Sequence, residues 1–420
     1  MAKAMIISVG TGTGPDVNIV NPLVKTVKDT EPAQVSFLVS TESRAFAEEV
    51  ARQSGLHEGN FFCTLVRNHD DIHECFQAAL QALHELRNKG YKPEDIIADF
   101  TSGTKAMTAG LSLAAVSFRC AKLKYIYGVR RNGRVENGTE KFLSVPPAAI
   151  LAVSDLHLAR ELILQLRFEA AQEILPRIND VLLVPQDKNL RENLQLLAGA
   201  YARWDHFDHI TFCGEYNKVK WQNPELHPFK VKDKLPERRL IPLAKELEKG
   251  NITLDALADL YNNAQRRERE GKFDDAVARL YRLTEMIAQH VLSSQFGIRT
   301  SDVQLDNEKL ATLDPSARNR LAEHRNASDE KIKIGLEMSY WLLHKLNHPL
   351  GQAFISNSKL RGLLKDRNES ILAHGTKPVS REVYTSLKEQ VMRLAKKVDP
   401  EFERRAQELQ FPWLIGEEGT

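Results

Sequence analysis

Two helical turns separate Arg367 from His374 in the run Arg367-Asn368-Glu369-Ser370-Ile371-Leu372-Ala373-His374. Seven residues of α-helix rotate by about 700°, so both side chains project from nearly one face. That pair suits phosphodiester cleavage. A guanidinium stabilises charge on the phosphorane oxygens, and an imidazole moves a proton near neutral pH. Spacing alone is weak, because an arginine followed by a histidine after four to six residues occurs five times in the chain. The other pairs are Arg52/His57, Arg67/His73, Arg203/His209 and Arg318/His324. Gly55 interrupts the first, and the second falls in an expected loop. The third lies beside Trp204 and Phe207, which call for packing. Arg318/His324 is the rival, with Asn319 beside the arginine, but its neighbourhood is highly charged and reads as a solvated helix face. At Arg367/His374 the apolar Ile371, Leu372 and Ala373 anchor the segment while its other side stays polar, as a rigid site requires.

A second chemistry is anion binding. In Asp99-Phe100-Thr101-Ser102-Gly103-Thr104-Lys105-Ala106-Met107 an apolar run ends in a small-residue turn and a helix begins. Gly103 permits a sharp turn and close approach to a ligand. Thr104 and Lys105 then stand at a helix N-terminus, where free N–H groups and the dipole attract anions. Gly10-Thr11-Gly12-Thr13-Gly14 forms another such turn after the first apolar run. Neither turn is a GxxxxGK[ST] P-loop, so ATP hydrolysis is not expected. Together the two can cradle a phosphate-rich ligand.

These turns need a scaffold, and the first 150 residues supply one by alternating β-rich runs (5–9, 35–39, 61–66, 95–99, 123–129) with helical patterns (18–27, 43–54, 71–89, 105–115). The pattern predicts an α/β, Rossmann-like domain whose strand ends share one edge. Residues 151–250 read as an all-α spacer or docking domain, with a Lys-, Pro- and Asn-rich loop over 217–236 dividing it from the rest. From 251 to 420 the expectation is an all-α helical bundle, with helices at 254–267, 274–296, 338–346, 358–373 and 383–397. Trp341, beside Leu342 and Leu343, reads as core. The mixed-sign run from Arg266 to Glu270 reads as a solvated face.

Composition narrows the function classes. The 420 residues carry a net charge of only +2, which excludes a broad basic coat for nucleic acid and leaves room for a local phosphate site. Cys63, Cys75, Cys120 and Cys213 form no CxxC pair and predict reduced thiols in a cytoplasmic protein, with no disulfide frame and no metal site. No apolar stretch reaches the roughly 18 residues of a membrane helix, and the N-terminus lacks signal-peptide features.

Asp99-x-Thr101-x-Gly103-Thr104-Lys105-x-Met107, with the Gly/Thr turn after the first strand, resembles the CARF domain of type III CRISPR accessory proteins. The resemblance covers about residues 1–145. It implies a homodimer that binds a cyclic oligoadenylate through Gly10, Thr11, Gly12, Thr13, Ser40, Thr41, Thr101, Ser102, Gly103, Thr104 and Lys105. The Arg367-Asn368 … His374 pattern is similar to the R-x4–6-H motif of HEPN ribonucleases, and this second resemblance covers about 252–410. It implies a metal-independent, cofactor-free endoribonuclease acting on single-stranded RNA from a composite cleft between protomers. His374 would be acid or base, Arg367 the oxyanion stabiliser, and Asn368 would orient one of them. A non-catalytic sensor with a helical interaction domain, or a ring nuclease using the α/β domain alone, are the alternatives.

Overall fold

The computed structural model describes residues 3–12, 19–131, 134–135, 138–232, 234–368, 376 and 378–415, with backbone alone at 130–131, 134–135, 182 and 366–368. The chain divides into two compact units, Met1–Leu158 with Pro176–Lys188, and Ala159–Leu175 with Asn189–Thr420.

In the first unit the elements run β1 (Ala4–Val9), α1 (Val20–Thr30), β2 (Gln34–Val39), α2 (Arg44–Ser54), β3 (Phe61–Leu65), α3 (Ile72–Asn88), β4 (Ile96–Asp99), α4 (Lys105–Ser117), β5 (Lys122–Tyr127) and, after a short hairpin, β6 (Lys141–Val145). They form a sheet of order β3-β2-β1-β4-β5-β6, parallel from β1 to β5, with β6 antiparallel on β5. Every residue of β1 and β2 is buried. Side chains alternate across the sheet, so Ala4 and Ile6 pack with Leu83 of α3 and Leu111 of α4. Met5 and Ile7 pack on the opposite face with Leu23 of α1 and Val50 of α2. The chain steps outward from β1 through β2 to β3, then returns to β4 on the other side of β1. That reversal opens a crevice between the ends of β1 and β4.

The expected strands and helices are present here, and β6 is additional. Four of its five positions are exposed, so it lacks the apolar pattern by which a strand is recognised. Below the crevice the Lys124 ammonium is buried and donates to Asp29 Oδ2 at 2.7 Å and Thr30 Oγ1 at 2.8 Å.

The second unit is helical. After α5 (Pro147–Leu164), which begins in the first unit, come α6 (Phe168–Ile174), α7 (Pro185–Asp205), α8 (His209–Tyr216), α9 (Ile241–Glu248), α10 (Leu254–Arg269) and α11 (Phe273–Phe296). Then follow α12 (Pro315–Ala322), α13 (Leu336–Lys345), α14 (Pro349–Ile355), α15 (Ser358–Asn368), α16 (Arg381–Lys396) and α17 (Phe402–Glu408). Helix α11 packs against α10, α13, α15 and α16, burying Val277, Leu280, Leu283, Ile287 and Val291.

Three sequence expectations change in this unit. Residues 217–236 are no open loop: Leu226 and Phe229 are fully buried, and the Tyr201 hydroxyl donates to the Phe229 carbonyl at 2.5 Å. Arg266 is not solvated but 0% exposed. Helical periodicity places it on the inward face of α10 with Asp259, Asn262 and Asn263, where its Nε donates to Asp205 Oδ1 at 2.6 Å and its guanidinium lies 4.1 Å from the Phe411 ring. Trp341, expected in the core, is only half-buried, while Leu342 and Leu343 are buried beside it. Among the described residues no helix is long and apolar enough to cross a membrane.

Candidate functional site

The two glycine turns meet at the crevice. A Cβ on Gly10 would stand 2.9 Å from both Cα and N of Gly103, so backbone contact this close requires glycine. Gly103 has φ +112, and its own Cβ would fall 3.2 Å from the Met107 Cβ and 3.3 Å from that of Ser8. Polar bonds lock the approach. The Gly10 amide donates to Ser102 Oγ at 3.1 Å, and the Ser8 hydroxyl donates to the Ser102 carbonyl. From beneath, Asp99 accepts from the Thr101 amide at 2.8 Å and from the Thr26 hydroxyl at 2.6 Å. Burial raises the pKa of that carboxyl, while Thr101, Thr26 and Lys124 pull it back.

The residues read as ligand-binding sort into two groups. Thr104 is the N-cap of α4: its Oγ1 accepts from the Met107 amide at 3.2 Å and donates to the His69 carbonyl at 2.5 Å. Thr101 Oγ1 accepts from the Ile126 amide at 3.0 Å. Ser40 and Ser43 exchange bonds, Ser40 N–H to Ser43 Oγ at 2.9 Å and Ser43 N–H to Ser40 Oγ at 3.3 Å. These hydroxyls, with that of Ser102, hold the loops in place. Thr11, Gly12, Thr41 and Lys105 are exposed at the rim. Lys105 is the first residue of α4, so its ammonium flanks amides that no intrahelical carbonyl satisfies. The arrangement can take an anion against the start of α4, with Lys105 as the adjacent point charge. Thr13 lies outside the described residues. Sequence reasoning missed Ser8, Thr26 and Lys124, although a lone lysine between Leu123 and Tyr125 in a β-rich run was a signal.

In the second unit α15 carries Arg367 and Asn368 in its last turn. Leu360 and Leu364 are buried and hold the helix down. At its start the Leu360 amide donates to Asn357 Oδ1, while Asn357 Nδ2 donates to Gln390 Oε1 of α16, both at 3.0 Å. His374 lies outside the described residues. In three of the competing pairs the arginine or the histidine is engaged elsewhere. Arg318 donates to the Leu305 carbonyl at 3.3 Å, and His324, beyond the end of α12, bonds the Arg320 carbonyl at 3.1 Å. His209 is fully enclosed against Asp259 at 2.8 Å. Arg52 is paired to Glu49, and Gly55 turns left-handed before His57. One histidine that no motif flagged, His290, sits in a cleft of about 550 Å³ at the start of α10, with Nδ1 bonded to the Ile252 carbonyl at 2.6 Å.

Residues 245–398 match the family model described as the Csm6 HEPN domain. The chain is 28% identical over 308 residues to the CRISPR system endoribonuclease Csm6 of Thermus thermophilus, across 66% of this chain and 63% of that protein. The chain is thus similar to Csm6, with the HEPN-model match confined to residues 245–398. Its fold is also like that of Enterococcus italicus Csm6 bound to cyclic hexa-2'-fluoro-hexa-dAMP, with a TM-score of 0.56 at 12% identity, covering 97% of this chain and 99% of the other. The match thus spans just under two thirds of the Thermus relative's length. The family-matched stretch contains both Arg318/His324 and Arg367/His374, so the match does not choose between them.

Proposed function

We propose that the chain is a homodimeric, metal-independent endoribonuclease of type III CRISPR antiviral defence, acting in the cytoplasm on single-stranded RNA. A cyclic oligoadenylate is its allosteric activator. Residues 1–150 form the sensing domain, 151–250 a helical docking region, and 251–420 the ribonuclease domain. The observation that carries this reading is the order of two features: the paired glycine turns at the crossover edge, followed by a Csm6 HEPN match over 245–398. The endoribonuclease activity of the Thermus relative and the cyclic ligand bound to the Enterococcus protein support the two halves respectively.

In this reading Lys105, the α4 amides, Thr11, Gly12 and Thr41 hold the activator, while Ser40, Thr101, Ser102, Gly103 and Thr104 shape the loops. In the ribonuclease domain the RNA 2′-hydroxyl attacks phosphorus and the bond to the 5′ oxygen breaks. The products are a 2′,3′-cyclic phosphate and a 5′-hydroxyl. His374 relays the proton, Arg367 stabilises the phosphorane oxygens, and Asn368 orients one of these two side chains.

The test is cleavage of single-stranded RNA by the full chain against cyclic oligoadenylates of different ring size, with and without chelator. Cleavage that needs one ring size and survives chelation is expected. Activator binding without RNA cleavage would leave a non-catalytic sensor, and destruction of the ring alone would leave a ring nuclease. Loss of activity in EDTA, restored by a divalent ion, would point to different nuclease chemistry.

A further inference from the structure

Asp99 and Lys124 are register neighbours on β4 and β5, and both side chains face α1. Neither is open to solvent: Asp99 is 0% and Lys124 4% exposed. Thr26 of α1 bridges them. Its hydroxyl donates to Asp99 Oδ2 at 2.6 Å, and its carbonyl accepts from Lys124 Nζ at 3.4 Å. With Asp29 Oδ2 and Thr30 Oγ1, Lys124 has three acceptors for the three N–H bonds of an ammonium. The Phe142 ring of β6 lies 4.4 Å from Nζ and adds a cation–π contact.

Asp99 uses both of its oxygens as acceptors, Oδ2 for Thr26 and Oδ1 for the Thr101 amide at 2.8 Å. Thr101 opens the turn that runs through Ser102 and Gly103 to the start of α4, and its hydroxyl accepts from the Ile126 amide of β5. Bonds to an ionised carboxylate are about twice as strong as neutral ones, so the charge state of Asp99 sets how firmly this turn is held. Buried charges can frequently be exchanged for apolar side chains at little cost in stability, so an ammonium beneath the crevice calls for another reason.

We propose that Lys124 is a positioning residue for activator binding: the charge it fixes beside Asp99 sustains the carboxylate that holds the turn from Thr101 to Lys105 in its ligand-receiving shape. The inference rests on the cyclic-oligoadenylate reading and adds to it a group buried below the ligand. Burial raises the pKa of the Asp99 carboxyl, while Thr101, Thr26 and Lys124 lower it. Without Lys124 that pKa rises further. An affinity that needs the carboxylate is complete above the pKa and is lost as pH falls through it, so the acid limb of binding moves to higher pH. Around the pair stand Asp29 and Lys25 of α1, the latter held by Glu140 at 2.9 Å, and β1 presents Ile7 on the other side of Asp99.

The test is calorimetry of the full chain with cyclic tri-, tetra- and hexaadenylate across a series from mildly alkaline to mildly acid pH, with thermal melts at each pH. Lys124→Met should lose affinity toward acid pH, reaching about tenfold below wild type, the scale of a lost charge-assisted bond. Lys124→Arg, which keeps the charge, should follow the wild-type profile. Asp99→Asn, nearly isosteric with the protonated carboxyl, should bind about tenfold more weakly at every pH. Adding Lys124→Met to it should bring no new pH dependence. Wild type keeps the same remaining titratable groups, His69 beside Thr104 among them, so the difference between profiles isolates Asp99. A Lys124→Met profile parallel to wild type would overturn the proposal. So would wild-type affinity in Asp99→Asn, a measurement that stands even where Lys124→Met does not fold, or an acid limb that persists in the double variant. If wild type binds none of the three rings, the activator reading itself falls. If it binds one and the Lys124→Met profile tracks it, only the positioning role falls.

Discussion

Thr104 and Lys105 are neighbours at the start of α4, yet their chemistry separates them. The Thr104 hydroxyl caps the helix and holds the His69 carbonyl, so Thr104→Ala should lower stability by about 0.5–2 kcal/mol, with Thr104→Ser close to wild type in thermal melts. Lys105 is exposed at the first position of α4, so Lys105→Ala should cost activator binding about 1–3 kcal/mol by calorimetry, with the melting temperature unchanged. Unchanged affinity would remove Lys105 from the site. At the proposed catalytic pair, Arg367→Ala or His374→Ala should each slow RNA cleavage by about 10²–10⁴-fold. The double variant should be scarcely slower, because groups acting as a unit are not additive. Arg318→Ala and His324→Ala should leave the rate nearly unchanged, since each side chain is tied to a different backbone carbonyl. A dead Arg318→Ala enzyme with an active His374→Ala would transfer the chemistry to the other pair.

Among the elements, α7 and α10 are joined by charge as well as by apolar packing. Asp205 at the end of α7 receives Arg266, Arg267 and Asn263 of α10, and the Trp204 indole donates to Asp259 at 3.0 Å. Removing one partner from a buried network leaves the others desolvated and unpaired. Arg266→Ala should therefore destabilise the helical unit by about 3–5 kcal/mol in denaturant unfolding, well beyond an exposed arginine such as Arg404. A loss under 1 kcal/mol would mean that the network relaxes or admits water. The sequence run Arg266-Arg267-Glu268-Arg269-Glu270 hides this role. Alternating signs are the mark of a solvated helix, and it is the acidic groups of α7 and α10, with Gln410 and the Phe411 ring, that make an inward-facing arginine stable.

For the whole molecule, the proposed function requires that ligand bound by the α/β unit be read out as RNA cleavage, and a weaker sensor would shift that equilibrium. Lys105→Ala should raise the activator concentration for half-maximal cleavage by the same factor by which it weakens binding, leaving the saturated rate intact. The α/β character, the strand-end turns and the inward stripes of the long helices were legible in the sequence, because hydrophobic periodicity and glycine–threonine turns are local properties. Sequence also put Gly10 and Gly103 on one sheet edge. Tertiary structure decided what that closeness means: the turns touch, Ser102 and Asp99 lock them, and Thr101 and Thr104 spend their hydroxyls on the scaffold. It likewise buried Arg266 and left Trp341 only half-buried beside Arg320. Side-chain burial and charge pairing depend on residues far away in the chain, such as Asp205 to Arg266 and Arg320 to Trp341, and no local pattern carries that information.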